Sequence, residues 1–212
     1  MRAVLFANGE VADLHFLEKN ISPRDVFICC DGGARYAEAL GVTPDYLVGD
    51  MDSVPPEILE KYKNDGVKLA SWPVDKDFTD LELAVAFARG LGADAIDIFG
   101  ALGGRVDHAM ANIFILAQAV GAARIVEPDC AIYSVGPERE LEITGAPGDI
   151  VSILPVGEAH GVTTACLRYP LARESLYPGF ARGVSNRMLA SRARVALEKG
   201  VLIVFHTTSV IR

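Results

Sequence analysis

Asp50 and Asp52 stand two apart in the run Gly49-Asp50-Met51-Asp52-Ser53. In extended backbone, positions i and i+2 face the same way, so these carboxylates are expected to converge. Like charges that close are costly unless a cation sits between them. Mg²⁺ suits such a pair, because it takes hard oxygen ligands and bridges to substrate phosphates. The same residues also suit two solvated loop acids, with Asp52 and Ser53 capping the next helix.

A second acid-rich run reads Asp75-Lys76-Asp77-Phe78-Thr79-Asp80-Leu81-Glu82. Thr79 with Glu82 three residues on fits a capping box at a helix start. That leaves Asp75, Asp77 and Asp80, one or more of which could complete a cation site begun by Asp50 and Asp52. Asp31-Gly32-Gly33 stands ahead of a helical pattern. Its glycines allow backbone N–H groups close to a phosphate, but taken alone they read as an ordinary strand-to-helix turn, where Gly pairs are common. In Gly100-Ala101-Leu102-Gly103-Gly104-Arg105-Val106-Asp107-His108, the planar fork of Arg105 could clamp a phosphate. Asp107 falls where it would complement a helix dipole, and His108 reads as a surface residue.

These clusters need a scaffold, and the first ~128 residues supply its pattern. Short aliphatic runs (Ala3–Ala7, Val26–Cys30, Tyr46–Val48, Val67–Ala70, Ala95–Phe99, Arg124–Val126) read as strands. Ala34–Leu40, Glu57–Lys63, Asp80–Leu91 and Val106–Val120 read as helices, with Gly41, Gly66, Gly92 and Gly121 placed to end them. Alternating strand and helix implies an α/β N-terminal domain with a mostly parallel sheet, residues 1–128. Such sheets bind ligands at the carboxyl ends of their strands, where the acidic and Gly-rich clusters fall. Residues 129–212 carry dense Gly and Pro punctuation between short apolar runs. They read as a smaller all-β sandwich C-terminal domain.

The chain has 212 residues, 20 basic and 28 acidic side chains, and a net charge of −8. That acid excess argues against a nucleic-acid partner, which calls for a basic face. No run reaches the ~18 apolar residues of a membrane span. The start of the chain meets Asn8, Gly9 and Glu10 too early for a signal peptide. Cys29, Cys30, Cys130 and Cys166 form no CxxC pair, and are expected to be buried, reduced thiols in a cytoplasmic protein. There is no P-loop, dinucleotide fingerprint, zinc spacing or nucleophile elbow. On its own, Tyr169 reads as a strand aromatic filling the core, and Ser185-Asn186 as a turn.

Taken in order, Asp31-Gly32-Gly33, Gly49-Asp50-Met51-Asp52-Ser53, Asp75-x-Asp77-x-Thr79-Asp80 and Gly103-Gly104-Arg105-x-Asp107-His108 resemble the motif set of bacterial thiamine pyrophosphokinases (thiamine diphosphokinases). The likeness extends to Asn8-Gly9-Glu10 and to Gly161-Val162-Thr163-Thr164, Leu167-Arg168-Tyr169-Pro170-Leu171 and Gly183-Val184-Ser185-Asn186. It spans essentially the whole chain. The resemblance implies a homodimer that transfers the diphosphate of ATP to the hydroxyl of thiamine, giving thiamine diphosphate and AMP. It implies that Asp50, Asp52 and Asp80 hold Mg²⁺ and the phosphates. Asp31, Gly32, Gly33, Thr79, Arg105 and Asp107 would line the nucleotide and phosphate site. Tyr169, Ser185 and Asn186 would help bind thiamine at the dimer interface, Tyr169 by stacking.

Two positions depart from that pattern. Arg187 stands where the family usually has Glu, and Arg168 where Lys is common. Attack would fall on the β-phosphorus, with Asp77, Asp80 and Asp107 as candidates to take the thiamine proton; such transfers need little general-base help when the transition state is loose. A small-alcohol kinase releasing ADP and a non-catalytic nucleotide or thiamine sensor are the alternatives on the same fold.

Overall fold

The protein is described here by a computed structural model covering residues 1–72 and 77–208. Asp75 and Lys76 of the second acidic run lie outside the described residues. The chain folds as two compact units, Met1–Asn112 and Ile113–Arg212.

The first unit begins with β1 (Arg2–Phe6), α1 (Leu14–Asn20) and β2 (Val26–Cys30). A 3₁₀ turn (Asp31–Gly33) leads into α2 (Ala34–Ala39), then β3 (Tyr46–Gly49), α3 (Pro56–Asn64) and β4 (Lys68–Ser71). After these come α4 (Asp80–Gly90), β5 (Ala95–Phe99) and α5 (Val106–Ile115), which runs across the boundary between the units. The first unit's strands lie in the order β5-β1-β2-β3-β4, and every pair is parallel. Central strands of such a sheet are covered on both faces, so they read as unbroken aliphatic runs. Ala3, Val4, Leu5 and Phe6 of β1 are accordingly all fully buried.

Helix boundaries follow local chemistry. Thr79 caps α4 by accepting the Glu82 N–H on its side-chain oxygen at 3.2 Å, as the capping pattern predicts. Gly66 and Gly92 follow α3 and α4 with φ of 80° and 86°, a conformation costly for any residue with a Cβ. The helix α1 was not expected from the sequence. It is short, and Asp13 starts it by accepting the Phe16 N–H.

Parallel register aligns the strand ends. Phe6 pairs with Cys29 and with Phe99, Cys30 with Val48, and Gly49 with Ser71. The segments that follow β1, β2, β3 and β5 therefore emerge along one edge. The chain winds outward from β1 through β4 and then returns to β5 on the other side of β1, so the order reverses between β1 and β5.

The second unit contains β6 (Ala123–Val126), β7 (Cys130–Val135), β8 (Leu141–Thr144), β9 (Ile150–Pro155) and β10 (Ala159–Ala165). Then come β11 (Glu174–Leu176), β12 (Asn186–Arg187), β13 (Arg192–Ala196) and β14 (Leu202–Thr207). One antiparallel layer runs β12-β9-β14-β7-β6 and the other β11-β10-β13-β8. Val151, Ile153, Leu202 and Val204 from the first layer and Ile143, Val162, Ala193 and Val195 from the second share one buried cluster. That is the core of a sandwich. In β13 the buried Ala193 and Val195 alternate with the exposed Arg192 and Arg194, the period-two pattern of a sheet wetted on one face.

Cysteine burial is only half as expected. Cys29 and Cys30 are buried in β2, but Cys130 is half-buried and Cys166 is exposed; all four are free thiols. Among the described residues, no helix is long and apolar enough to cross a membrane.

Candidate active site

Asp31 leaves β2 with φ of 48°, rare for a residue with a side chain. Its side chain is buried, and its Oδ1 has no hydrogen-bond partner among the described residues. A buried carboxylate oxygen without a partner is costly. Asp31, Asp50 and Asp52 each bring an oxygen to within 4.8 Å of the others. Burial pushes the Asp31 carboxyl up to about 6, and repulsion from Asp80, Asp50 and Asp52 adds to the effect while a Ser53 hydrogen bond opposes it.

Asp50 and Asp52 do converge, though not through extended backbone. Met51 between them has φ of 67°, and the Asp52 N–H donates to Asp50 Oδ1 at 3.2 Å. The turn folds the second acid back over the first. Helix capping by Asp52 or Ser53 is excluded, because Pro55 precedes α3 and no side chain caps it. Ser53 Oγ instead donates to Asp52 Oδ1 at 2.9 Å.

Gly49 lets the fourth acid approach. Its φ is 142°, and an added Cβ would lie 3.2 Å from Asp31 Cβ and 3.2 Å from Asp80 Oδ1. Asp80 thus reaches the acid group from the first turn of α4, beside the capping Thr79. Asp77 is exposed just before that helix. The resemblance implies that Asp31 lines the nucleotide site; the fold also brings it into the carboxylate group. Carboxylate oxygens alone, one of them buried and unpartnered, are a donor set that fits Mg²⁺.

Gly32 and Gly33 are buried. A Cβ on Gly33 would lie 2.0 Å from the Phe6 carbonyl oxygen, and one on Gly32 would lie 2.4 Å from Asn8 Oδ1. Backbone packing therefore demands glycine at position 33, while a side chain at position 32 would displace that of Asn8. Arg105 and Asp107 lie exposed after β5, joined by Nε–Oδ1 and Nη2–Oδ2 contacts of 3.1 and 2.6 Å. That pairing holds the Asp107 carboxyl down at about 2. His108 is exposed, as expected.

In the second unit, Tyr169 is 54% exposed and lies in a bend, not in a strand core. The Arg168 guanidinium lies 5.5 Å from its ring centre. Asn186 is buried in β12, with both ends of its amide bonded to the Tyr169 backbone. Ser185 is exposed with φ of 59°, and its N–H donates to Ser152 Oγ. Arg187, one of the departures, donates through Nη1 to the Gly148 carbonyl at 3.2 Å.

Residues 17–126 match the family model described as thiamin pyrophosphokinase, catalytic domain, and residues 133–202 match the thiamin pyrophosphokinase vitamin B1 binding domain. The chain is 30% identical to thiamine pyrophosphokinase of Bacillus subtilis over 188 residues, covering 86% of this chain and 87% of that protein. It is 30% identical to thiamine pyrophosphokinase 1 of Oryza sativa over 202 residues, 82% of this chain and 76% of the other. The crystal structure of the Bacillus subtilis enzyme superposes with a TM-score of 0.84 at 26% identity, over 98% of this chain and 99% of that one.

Proposed function

The chain belongs to the thiamine pyrophosphokinase family, and from that premise we propose that it transfers the diphosphate of ATP to the hydroxyl of thiamine, releasing AMP. The observation that carries this reading is the convergence of Asp31, Asp50 and Asp52, with Asp80 beside them, at the carboxyl edge of the parallel sheet. A triphosphate cannot approach so many acids without a cation.

We assign Asp50, Asp52 and Asp80, with Asp31, to holding Mg²⁺. Bound there, the ion would offset the charge of the triphosphate and polarise its oxygens. The protein's own task is positioning. Gly32 and Gly33 bring the backbone close to the nucleotide, Thr79 fixes the start of α4, and Arg105 presents its fork to phosphate oxygens, oriented by Asp107. Asp77, Asp80 and Asp107 are the carboxylates we consider for the proton of the thiamine hydroxyl.

We assign nucleotide binding and catalysis to residues 1–128 and thiamine binding and dimerisation to residues 129–212, a division close to the limits of the two family models. Tyr169 would stack on thiamine, with Ser185 and Asn186 beside it. The acting species would be a cytoplasmic homodimer.

The test is incubation with ATP, Mg²⁺ and thiamine, with the products resolved by chromatography. Thiamine diphosphate with equimolar AMP is the expected result. ADP with thiamine monophosphate would overturn the diphosphate assignment, and ATP binding without turnover would overturn the assignment as an enzyme.

A further inference from the structure

Arg35, the second residue of α2, spends its guanidinium on the loop after β1. Nη1 donates to Asn8 Oδ1 at 2.5 Å, and Nη2 lies 2.9 Å from the carbonyl oxygens of Asn8 and Gly9 and 3.0 Å from the Tyr36 hydroxyl. The guanidinium carbon sits 4.7 Å from the Tyr36 ring centre. The Tyr36 hydroxyl in turn donates to the Gly9 carbonyl and accepts the Val11 N–H. Every acceptor in this latch is neutral. Arg35 is committed to shaping a loop.

The loop it shapes is wedged against the acid group's support. Asn8 Oδ1 fills the space a Cβ on Gly32 would need, directly beside Asp31. Gly9 lies so close to the β5 loop that a Cβ would be 2.3 Å from the Gly100 carbonyl oxygen. The latch thus ties together the ends of β1, β2 and β5. Asp31, with its left-handed φ and unpartnered oxygen, holds that conformation only if its surroundings impose it.

We infer that Arg35 is a positioning residue for the transfer reaction: by latching Asn8 and Gly9 against Gly32, it holds Asp31 in the geometry that binds the divalent cation. This rests on the proposed function.

The two roles open to Arg35 have opposite signs. If it acted through charge alone, removing it would tighten cation binding to the acids, and Lys would substitute for it. If it acts through its fork, Lys keeps the charge but cannot reproduce the bonds. Mn²⁺ binding to the wild type, Arg35→Ala and Arg35→Lys is to be measured by electron paramagnetic resonance, beside thermal melts and product analysis. The expected result is Mn²⁺ affinity lowered about tenfold in both variants, the size seen when supports of metal ligands are removed, with both still melting cooperatively. Wild-type affinity in Arg35→Lys, or tighter binding in Arg35→Ala, would overturn the inference. Lowered melting temperature with unchanged Mn²⁺ affinity would also overturn it, leaving a purely structural latch. A wild type that binds Mn²⁺ but makes no thiamine diphosphate would instead sink the proposed function.

Discussion

The buried amide of Asn186 clasps the backbone of Tyr169 from both sides: Oδ1 accepts the Tyr169 N–H at 2.9 Å, and Nδ2 donates to its carbonyl at 2.6 Å. A buried side chain therefore holds an exposed ring in place. Tyr169→Ala is expected to raise KM for thiamine and leave KM for ATP unchanged; equal rises for both would reduce Tyr169 to a structural part. Asn186→Ala should also cost about 1 kcal/mol of stability, because the part-buried N–H and C=O of Tyr169 lose their partners. A denaturant titration reads that directly.

Asp50→Ala is expected to lower diphosphate transfer at least ~100-fold, since electrostatic stabilisation at a transferring phosphate is worth several kcal/mol. The variant should keep its circular dichroism spectrum. Near-normal turnover would remove Asp50 from the metal site.

Asp31 makes stability depend on pH in the absence of metal. Its folded value of about 6 stands above the ordinary 3.8, so the native state holds the extra proton between those values. The metal-free protein should thus lose stability as pH rises from 3.8 to about 6, with the full cost present above that range. Asp31→Asn removes the charge. At pH 7 it should raise the melting temperature by about 2–4 °C while abolishing turnover. In the wild type, Mn²⁺ binding should weaken as pH falls through about 6, where protons compete for Asp31. A calorimetric melt of Asp31→Asn at or below the wild-type temperature would contradict this account.

Arg105 and Asp107 are exposed, and such a pair adds little to stability. Arg105→Ala should leave the melting temperature unchanged and raise KM for ATP. A changed melt with unchanged kinetics would mean the fork serves the fold and not the phosphates.

Gly33→Ala would drive a Cβ into the Phe6 carbonyl, which belongs to the central strand and cannot retreat. A cost of about 1–3 kcal/mol is expected from such overpacking. Unfolding by urea measures it, and an unchanged midpoint would show that β1 yields.

Aliphatic runs and capping signals made the parallel sheet and its helices legible in the sequence, because period, caps and turn residues act within a few positions of one another. The short apolar runs of the second half were legible for the same reason, whereas β11 and β12 are too short to carry a pattern. The ordered motifs pointed to the family, and Asp50 and Asp52 to a cation. What only the tertiary structure decided is how these residues meet. Asp31 and Asp50 follow neighbouring strands brought together by register, and Asp80 reaches them across Gly49, where an added Cβ would crowd its carboxylate at 3.2 Å. Arg35 gave no signal, since its partners are carbonyls and an amide on a loop 26 to 27 residues away. By itself Tyr169 reads as core, and only the resemblance makes it a stacking face; it is exposed, and its backbone is held by the buried amide of Asn186, 17 residues further on. Local sequence determines which elements form; contacts between residues distant in the chain determine which side chains share a site.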